Sequence, residues 1–177
     1  MSLVMNYSMS KNEKVTDFNK RLEELKIELP VITKPIASYI PVRIVDDFAW
    51  VSGHLPFEDG RLYRRGRLGE NVYPEDGIRC AELAVLNILS NLKNELGDLN
   101  KIEYFVKVSG FVASVPDFLD HHKVIDGGSN ILIKIFGVDG KHSREVVGVA
   151  SLPMRSPVEI SAVVKLKKEF NSTKAEK

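Results

Sequence analysis

Apolar residues recur at helical spacing in two long segments of the chain. The first predicted helix spans residues 16–29, where Thr16 or Asp17 is a suitable N-cap. Its apolar stripe comprises Phe18, Leu22, Leu25 and Leu29. The second predicted helix spans residues 74–96 and ends at Gly97, a residue type that favours the end of a helix. Its apolar face comprises Ile78, Ala81, Val85, Ile88, Leu89, Leu92 and Leu96.

Segments rich in β-branched and aromatic residues predict the strands. A hairpin is predicted over residues 42–52, with two adjacent aspartates at its bend. Another strand is predicted over residues 102–112, and the last two are predicted over residues 144–150 and 158–166. The segment 53–71 is polar and contains several glycines, so it predicts a long loop.

A third helix is predicted from the segment PDFLDHHKVID. We expect it over residues 116–126, with Gly127 and Gly128 marking its end. The periodicity of residues 131–138 does not distinguish a short strand from the tail of a helix.

Together these elements predict one α+β domain over residues 16–166. Their order predicts a two-layer sandwich, in which two helices cover one face of a mixed β-sheet and an extra helix precedes them. Residues 1–15 are expected to be disordered, and residues 167–177 are expected to form a solvated tail.

The face of the sheet without helices also needs a cover. In the predicted strand 144–150, Val147 and Val149 alternate with residues that are themselves small or apolar, so both faces of the strand are apolar. We therefore expect this face to be buried against other subunits.

Composition excludes several classes of protein. The chain has 177 residues, 44% of them hydrophobic, which is enough for the core of one domain. Its 25 Lys and Arg against 24 Asp and Glu leave a net charge of +1, so no global field attracts nucleic acid or an anionic membrane. A single cysteine, Cys80, allows no internal disulfide. With neither a secretion signal nor a bilayer-spanning apolar run, the sequence predicts a soluble cytoplasmic protein.

Two charged residues stand out in the last two predicted strands. Arg144 lies at the start of one strand, and Glu159 lies in the otherwise apolar run of the next. A charge at the end of a buried strand is unfavourable unless an opposite charge pairs with it or it binds a ligand. Arg144 is therefore a candidate for binding an anionic ligand. The alternative is that the two residues lie on neighbouring strands and neutralise each other. In the first interpretation the guanidinium is left unneutralised by the protein.

The order of short motifs over residues 36–166 resembles the RidA family, also called the YjgF or endoribonuclease L-PSP family. The matching positions are Tyr39, Ser52-Gly53, Pro116-Asp117-Phe118, Ser143-Arg144, Leu152-Pro153 and Val158-Glu159-Ile160. The resemblance implies a chorismate-mutase-like fold and a homotrimer with ligand sites in the clefts between subunits. It also implies cofactor-free hydrolysis of reactive enamines and imines, such as 2-aminoacrylate, to a keto acid and ammonia. The N-terminal helix and a long connection before Arg144 suggest a divergent subgroup.

The resemblance also assigns the residues of the site. It implies that Arg144 binds the substrate carboxylate and that Glu159 lies near the attacking water. The implied substrate-binding positions are Tyr39, Ser52, Gly53, Val146 through its backbone, and His122 in place of an asparagine common in the family.

The histidines do not predict a metal site. His121 and His122 are adjacent, and neighbouring side chains on a helix point about 100° apart, so the two do not form a ligand pair. An exposed helix position is the preferred interpretation of His121.

Four arginines in the loop 53–71 are the only feature that favours RNA: Arg61, Arg64, Arg65 and Arg67. Acidic residues lie nearby and the loop has a single aromatic residue, so a solvated loop is the preferred interpretation and nucleic acid is not an expected partner. On the family resemblance, the leading functional hypothesis is an enamine or imine deaminase. The alternatives are a non-catalytic protein that binds small carboxylates, and a ribonuclease-type translation inhibitor.

Overall fold

A five-stranded sheet forms one layer of the protein. The computed structural model describes residues 14–32 and 38–168. The strands of this sheet are β1 (Val42–Val45), β2 (Phe48–His54), β5 (Ile102–Ala113), β6 (Ser143–Val149) and β7 (Val158–Leu166). Their spatial order is β1-β2-β7-β5-β6; β6 runs parallel to β5, and the other neighbours are antiparallel. Two short strands, β3 (Phe57–Glu58) and β4 (Arg61–Leu62), pair separately within the segment that was predicted as a loop.

Two helices pack against each other on one face of this sheet. They are α2 (Pro74–Leu96) and α3 (His121–Phe136). Helix α2 matches its predicted span and ends at Gly97, whose φ of 77° is the left-handed conformation that glycine adopts readily. The predicted α+β two-layer sandwich, with a mixed sheet and helices on one face, is confirmed.

Helix α1 (Phe18–Glu24) is shorter than predicted. Asp17 caps it by accepting hydrogen bonds from the backbone N–H groups of Asn19 and Lys20. The helix ends early because Lys26 adopts a φ of 54°, which no α-helix accommodates.

Disorder was predicted for residues 1–15 and a solvated tail for residues 167–177; of these, residues 1–13 and 169–177 lie outside the described residues. In the described part, Lys14 forms an isolated β-bridge with Gly137, Val15 packs on the core, and Lys167 N–H donates to the carbonyl oxygen of Lys101.

The third predicted helix was wrong at both ends. Helix α3 begins at His121 and continues through Gly127 and Gly128 to Phe136. Both glycines serve close packing with α2, since a Cβ on Gly127 would overlap the carbonyl oxygen of Ile78. Tertiary packing here outweighs the low helix propensity of glycine. The ambiguous segment after residue 131 is the tail of this helix.

The burial pattern of β7 defines two faces of the sheet. Its helix-covered residues are all buried: Val158, Ile160, Ala162, Val164 and Leu166. The residues between them project from the open face, which none of the helices in the described part of the chain covers: Glu159, Ser161, Val163 and Lys165. This alternation decides on which side of the sheet each candidate side chain lies.

Candidate active site

Strand pairing places Arg144 and Glu159 on opposite faces of the sheet. Arg144 pairs with Val108, which is fully buried under the helices, so its side chain lies on the helix-covered face. Glu159 pairs with Phe111 and projects from the open face. Strand β5 lies between β6 and β7, so the hypothesis that the two residues sit on neighbouring strands and neutralise each other is wrong.

Arg144 is held by two residues of helix α3. Its Nη1 donates to Asp126 Oδ1 at 2.7 Å and to Ser129 Oγ at 3.0 Å, and 25% of the side chain is exposed. The expectation of a guanidinium left unneutralised by the protein is therefore wrong, because Asp126 is its acidic partner. Both bonds come from Nη1. Among the described residues nothing accepts from the Nε–Nη2 edge, which is a fork suited to a carboxylate.

His142 belongs to the same hydrogen-bond network as Arg144, and its contacts determine which atoms of the network carry protons. Its Nδ1 lies 2.7 Å from the carbonyl oxygen of Gly140, and its Nε2 lies 3.1 Å from Ser129 Oγ. Burial lowers the pKa of His142, and the charge of Arg144 lowers it further, so the ring is neutral near pH 7. A carbonyl only accepts, so Nδ1 carries the proton and Nε2 accepts from the Ser129 hydroxyl. Ser129 in turn accepts from Arg144. We call Arg144, Asp126, Ser129 and His142 the Arg144 cluster.

Glu159 lies against the backbone of Gly53. The register between β2 and β7 shifts between Val51 and His54, and this β-bulge brings Gly53 to the Glu159 side chain. A Cβ on Gly53 would overlap Oε1 of Glu159 and would lie 2.8 Å from its Cδ. Burial raises the pKa of Glu159, and among the described residues the carboxyl has no hydrogen-bond or ion-pair partner. It is therefore suited to exchanging a proton at a higher pH than an ordinary glutamate.

Tyr39 and Ser52 line a surface cavity of about 560 Å³, together with Ser38, Ile40, Arg43, Trp50 and Val51. Ser52 precedes Gly53 in β2, but neither Gly53 nor Glu159 is among the residues that line this cavity. Ser52 Oγ donates to the carbonyl oxygen of Ile40 at 2.8 Å, which anchors the segment that carries Tyr39. We call Gly53 and Glu159 the Glu159 cluster.

Val146 and His122 occupy different surroundings. Val146 lies on β6 opposite Gly110, and its side chain packs on the core. His122 is exposed in the first turn of α3, and the hydrogen bonds of Arg144 go to Asp126 and Ser129 instead.

Sequence analysis missed Asp126, Ser129 and His142. Asp126 and Ser129 are three residues apart in α3, the spacing that places two side chains on one helix face. That signal was hidden because the predicted helix ended at residue 126.

No group of three His, Cys, Asp or Glu side chains within residues 14–32 and 38–168 is arranged to hold a metal ion. His54 is partly buried: burial lowers its pKa, and its Nδ1 lies 2.7 Å from the carbonyl oxygen of Ser52. In the same ranges, no helix is long and apolar enough to cross a bilayer.

The arginine-rich loop is partly engaged within the protein. Arg64 Nε lies 3.1 Å from Asp76 Oδ1, and Arg67 Nη2 donates to the carbonyl oxygen of Ser114 at 3.1 Å. Arg61 and Arg65 are exposed. This arrangement does not present four free cations to a phosphate backbone.

Comparison with known proteins reveals relatives along most of the chain. A family model described as "YjgF/chorismate mutase-like, putative endoribonuclease" matches residues 19–166. Protein TCP17 of Trypanosoma cruzi is 34% identical over 146 residues, which cover 82% of this chain and 91% of TCP17. The mitochondrial protein MMF1 of Saccharomyces cerevisiae is 29% identical over 139 residues, covering 76% of this chain and 81% of MMF1.

Solved structures share the same architecture. The Agrobacterium tumefaciens protein Atu1372, described as of unknown function, is 43% identical with a TM-score of 0.79, covering 85% of this chain and 92% of its own. A "putative endoribonuclease" of Shewanella oneidensis is 29% identical with a TM-score of 0.82, covering 85% of this chain and 99% of its own. The second description names a ribonuclease activity for that protein, and neither description mentions an enamine or imine.

Proposed function

Because the chain belongs to the YjgF/chorismate mutase-like family, we propose that it is a cofactor-free deaminase of small enamine and imine carboxylic acids. The reaction adds water across the C=N bond of the imine and releases a keto acid and ammonia. An enamine such as 2-aminoacrylate enters after it tautomerises to the imine. The imine carbon is already electrophilic, so the protein has only to orient it, polarise its nitrogen and direct a water molecule.

The observation that carries this proposal is the restrained Arg144 guanidinium with an unoccupied fork. Asp126 and Ser129 hold Nη1, while the Nε–Nη2 edge has no acceptor among the described residues. A carboxylate that binds this edge makes two parallel charge-assisted hydrogen bonds. Asp126 orients the guanidinium, and its negative charge reduces the net charge of the Arg144 cluster. Tight binding is therefore limited to anions that fit the fork.

Glu159 is the proposed general base and general acid. Its carboxylate accepts a proton from the water that attacks the imine carbon, and the C–O bond forms as the C=N double bond becomes single. The protonated carboxyl then returns the proton to the nitrogen, which gives a neutral carbinolamine. In the second step the carboxylate takes the proton of the carbinolamine hydroxyl and passes it to the nitrogen, so that the C–N bond breaks, the carbonyl forms and ammonia leaves. The raised pKa of Glu159 suits both steps, because the carboxyl both gains and loses its proton readily.

The proposed active site combines two protomers of a homotrimer. The Arg144 cluster lies on the helix-covered face of edge strand β6, whereas the Glu159 cluster lies on the open face of the same sheet. A neighbouring protomer therefore brings its Glu159 cluster to Arg144. Edge strand β6 also has backbone groups that no strand pairs, and those near Val146 are available to the imine nitrogen. A cytoplasmic location is part of this proposal.

The test is a direct assay of hydrolysis. The full chain is added to 2-aminoacrylate that a pyridoxal-phosphate lyase generates in place, and the initial rates of ammonia and pyruvate release are measured. We expect acceleration over the lyase alone, and a loss of at least about tenfold in Arg144→Gln because the carboxylate loses its fork. Arg61→Gln, an exposed arginine outside both clusters, is the matched control and keeps the parental rate.

Two outcomes contradict the proposal. If the native chain does not accelerate release, the proposed reaction is wrong. If Arg144→Gln is as fast as an active parent, the proposed role of Arg144 is wrong. If a keto acid such as 2-oxobutanoate nevertheless binds in an Arg144-dependent manner, the chain is a carboxylate-binding protein rather than an enzyme.

A further inference from the structure

A second cavity lies at the opposite end of β6 from Arg144. It has a volume of about 440 Å³ and is lined by Arg67, Ser114, Val115, Pro116, His121, Gly148, Val149 and Ala150. None of these lining residues is acidic. The cavity belongs neither to the Arg144 cluster nor to the Glu159 cluster, so the proposed reaction leaves it without a role.

One buried serine connects the two basic side chains of this cavity. Arg67 Nη2 donates to the carbonyl oxygen of Ser114 at 3.1 Å, and Ser114 Oγ lies 2.9 Å from His121 Nε2. Because both contacts are made to the same residue, the guanidinium and the imidazole share one wall. Both side chains line the cavity.

The loop that carries Arg67 does not depend on this side chain for its position. Leu68 N–H donates to the carbonyl oxygen of Ala113 at 2.9 Å, and Val115 N–H donates to that of Leu68 at 3.0 Å. On the other side of Arg67, Gly66 N–H donates to the carbonyl oxygen of Arg155 at 2.8 Å. Backbone hydrogen bonds therefore fix the loop on both sides of the arginine.

The donors of Arg67 exceed the acceptors that the described residues provide. Its Nε is buried and has no hydrogen-bond acceptor among them, and its ion pair with Oε2 of the exposed Glu70 is long, at 4.0 Å. Buried donors in proteins are normally satisfied. An excess of donors beside a cavity without acidic lining residues indicates an anion.

Gly148 lets the His121 ring lie directly against the backbone of β6. A Cβ at this position would lie 2.5 Å from His121 Nε2 and 3.1 Å from Ser114 Oγ, so a larger residue would displace the ring from the cavity wall.

We propose that this cavity is a binding site for a small organic anion. The anionic group, a carboxylate or a phosphate, accepts hydrogen bonds from Arg67 and His121. A short apolar part of the ligand contacts Val115, Pro116 and Val149. The site is separate from the proposed active site, and it binds its ligand whether or not the chain is a deaminase.

The experiment measures binding by nuclear magnetic resonance titration of the full chain. All variants are made in an Arg144→Gln background, so that an anion bound at Arg144 does not contribute. The probes are butyrate, inorganic phosphate and, as a neutral control, butan-1-ol. The signals followed are the backbone amides of Ser114 and His121, from which a dissociation constant is obtained.

We expect butyrate, phosphate or both to shift these signals, and butan-1-ol to leave them unchanged. Arg67→Gln weakens binding at least tenfold, and Gly148→Ala, which displaces the His121 ring without changing the charge, weakens it similarly. Arg65→Gln, an exposed arginine of the same loop, is the matched control and binds like its parent. The comparison of butyrate with phosphate identifies the preferred anionic group.

Three results overturn the proposal. They are no shift with either anion, a dissociation constant that Arg67→Gln and Gly148→Ala leave unchanged, and equal shifts with butan-1-ol. Loss of deaminase activity alone does not bear on this site, because the titration does not depend on turnover.

Discussion

At the scale of single residues, the contact between Glu159 and Gly53 defines half of the candidate site. The carboxyl occupies the space that a side chain at residue 53 would need, so only glycine leaves it in place. The backbone bulge in β2 and the buried acid in β7 are therefore one structural feature. The position of the Arg144 guanidinium likewise depends on its neighbours, through its hydrogen bonds to Ser129 and Asp126.

Gly53→Ala is expected to lower deaminase activity about tenfold to a hundredfold, because displacing an aligned catalytic group by about 1 Å has an effect of this size. The added Cβ forces the Glu159 carboxyl to move, and the end of that flexible side chain can move without unfolding the protein. Steady-state kinetics and the thermal midpoint are measured together. A variant with parental activity would show that the Glu159 position does not matter for turnover.

Glu159→Gln is expected to stabilise the folded protein at pH 7. Burial raises the pKa of Glu159 above its usual value near 4.5, so stability from this group falls as the pH rises from 4.5 through the folded pKa. Removing the charge raises the free energy of unfolding by less than about 1 kcal/mol, because solvent partly screens the half-buried carboxyl. Thermal unfolding between pH 4 and pH 8 measures the difference, which disappears toward pH 4.

Glu145→Gln is the control variant for Glu159→Gln, and its expected effect on stability at pH 7 has the opposite sign. Hydrogen bonds from Lys107 and then Ser109 lower the pKa of Glu145, so its stabilising contribution is present above pH 4.5 and is lost as the pH falls through the lowered pKa. The variant is therefore less stable than the parent at pH 7. If both variants shift stability in the same direction, electrostatics does not explain the effect of Glu159.

At the scale of the elements, two glycines let α3 approach α2. Gly127→Ala is expected to destabilise the fold by about 1–3 kcal/mol, because the new methyl group overlaps backbone that cannot move aside as a side chain does. Lys134→Ala on the exposed side of α3 is the control and changes stability little. Chemical denaturation measures both, and a neutral Gly127→Ala would contradict the close helix contact.

The sequence predicted the elements whose periodicity is long and unbroken. Helix α2 and the strands followed directly from apolar spacing and β-branched residues. Helix α3 did not, because Gly127 and Gly128 are a stop signal in isolation and a packing feature in the fold. The error also hid Ser129 from the candidate site. Likewise, the hydrophobic pattern of the sequence did not show that β5 lies between the strands that carry Arg144 and Glu159. Strand order depends on long-range pairing, which that pattern does not specify.

At the scale of the whole molecule, the open sheet face carries exposed apolar residues. Trp50 is 55% exposed and Val147 is 48% exposed, on the face that no helix covers. We expect this face to be buried in a homotrimer.

Val147→Asp would place an unpaired charge on this face and is expected to yield monomers by analytical ultracentrifugation. Leu119→Asp, 80% exposed on a loop outside the sheet, keeps the parental mass. A parent that is itself monomeric would contradict this assembly.

The central claim is that Arg144 of one protomer and Glu159 of another serve the same site. The most direct test is the deaminase activity of mixed oligomers from co-expressed Arg144→Gln and Glu159→Gln chains. Each variant alone is inactive, but random mixing restores both intact residues to about a quarter of the sites if they come from different protomers. Recovery of about a quarter of the parental rate is the predicted result. No recovery in oligomers shown to contain both chains would contradict the account, because the two residues would then have to act from the same chain.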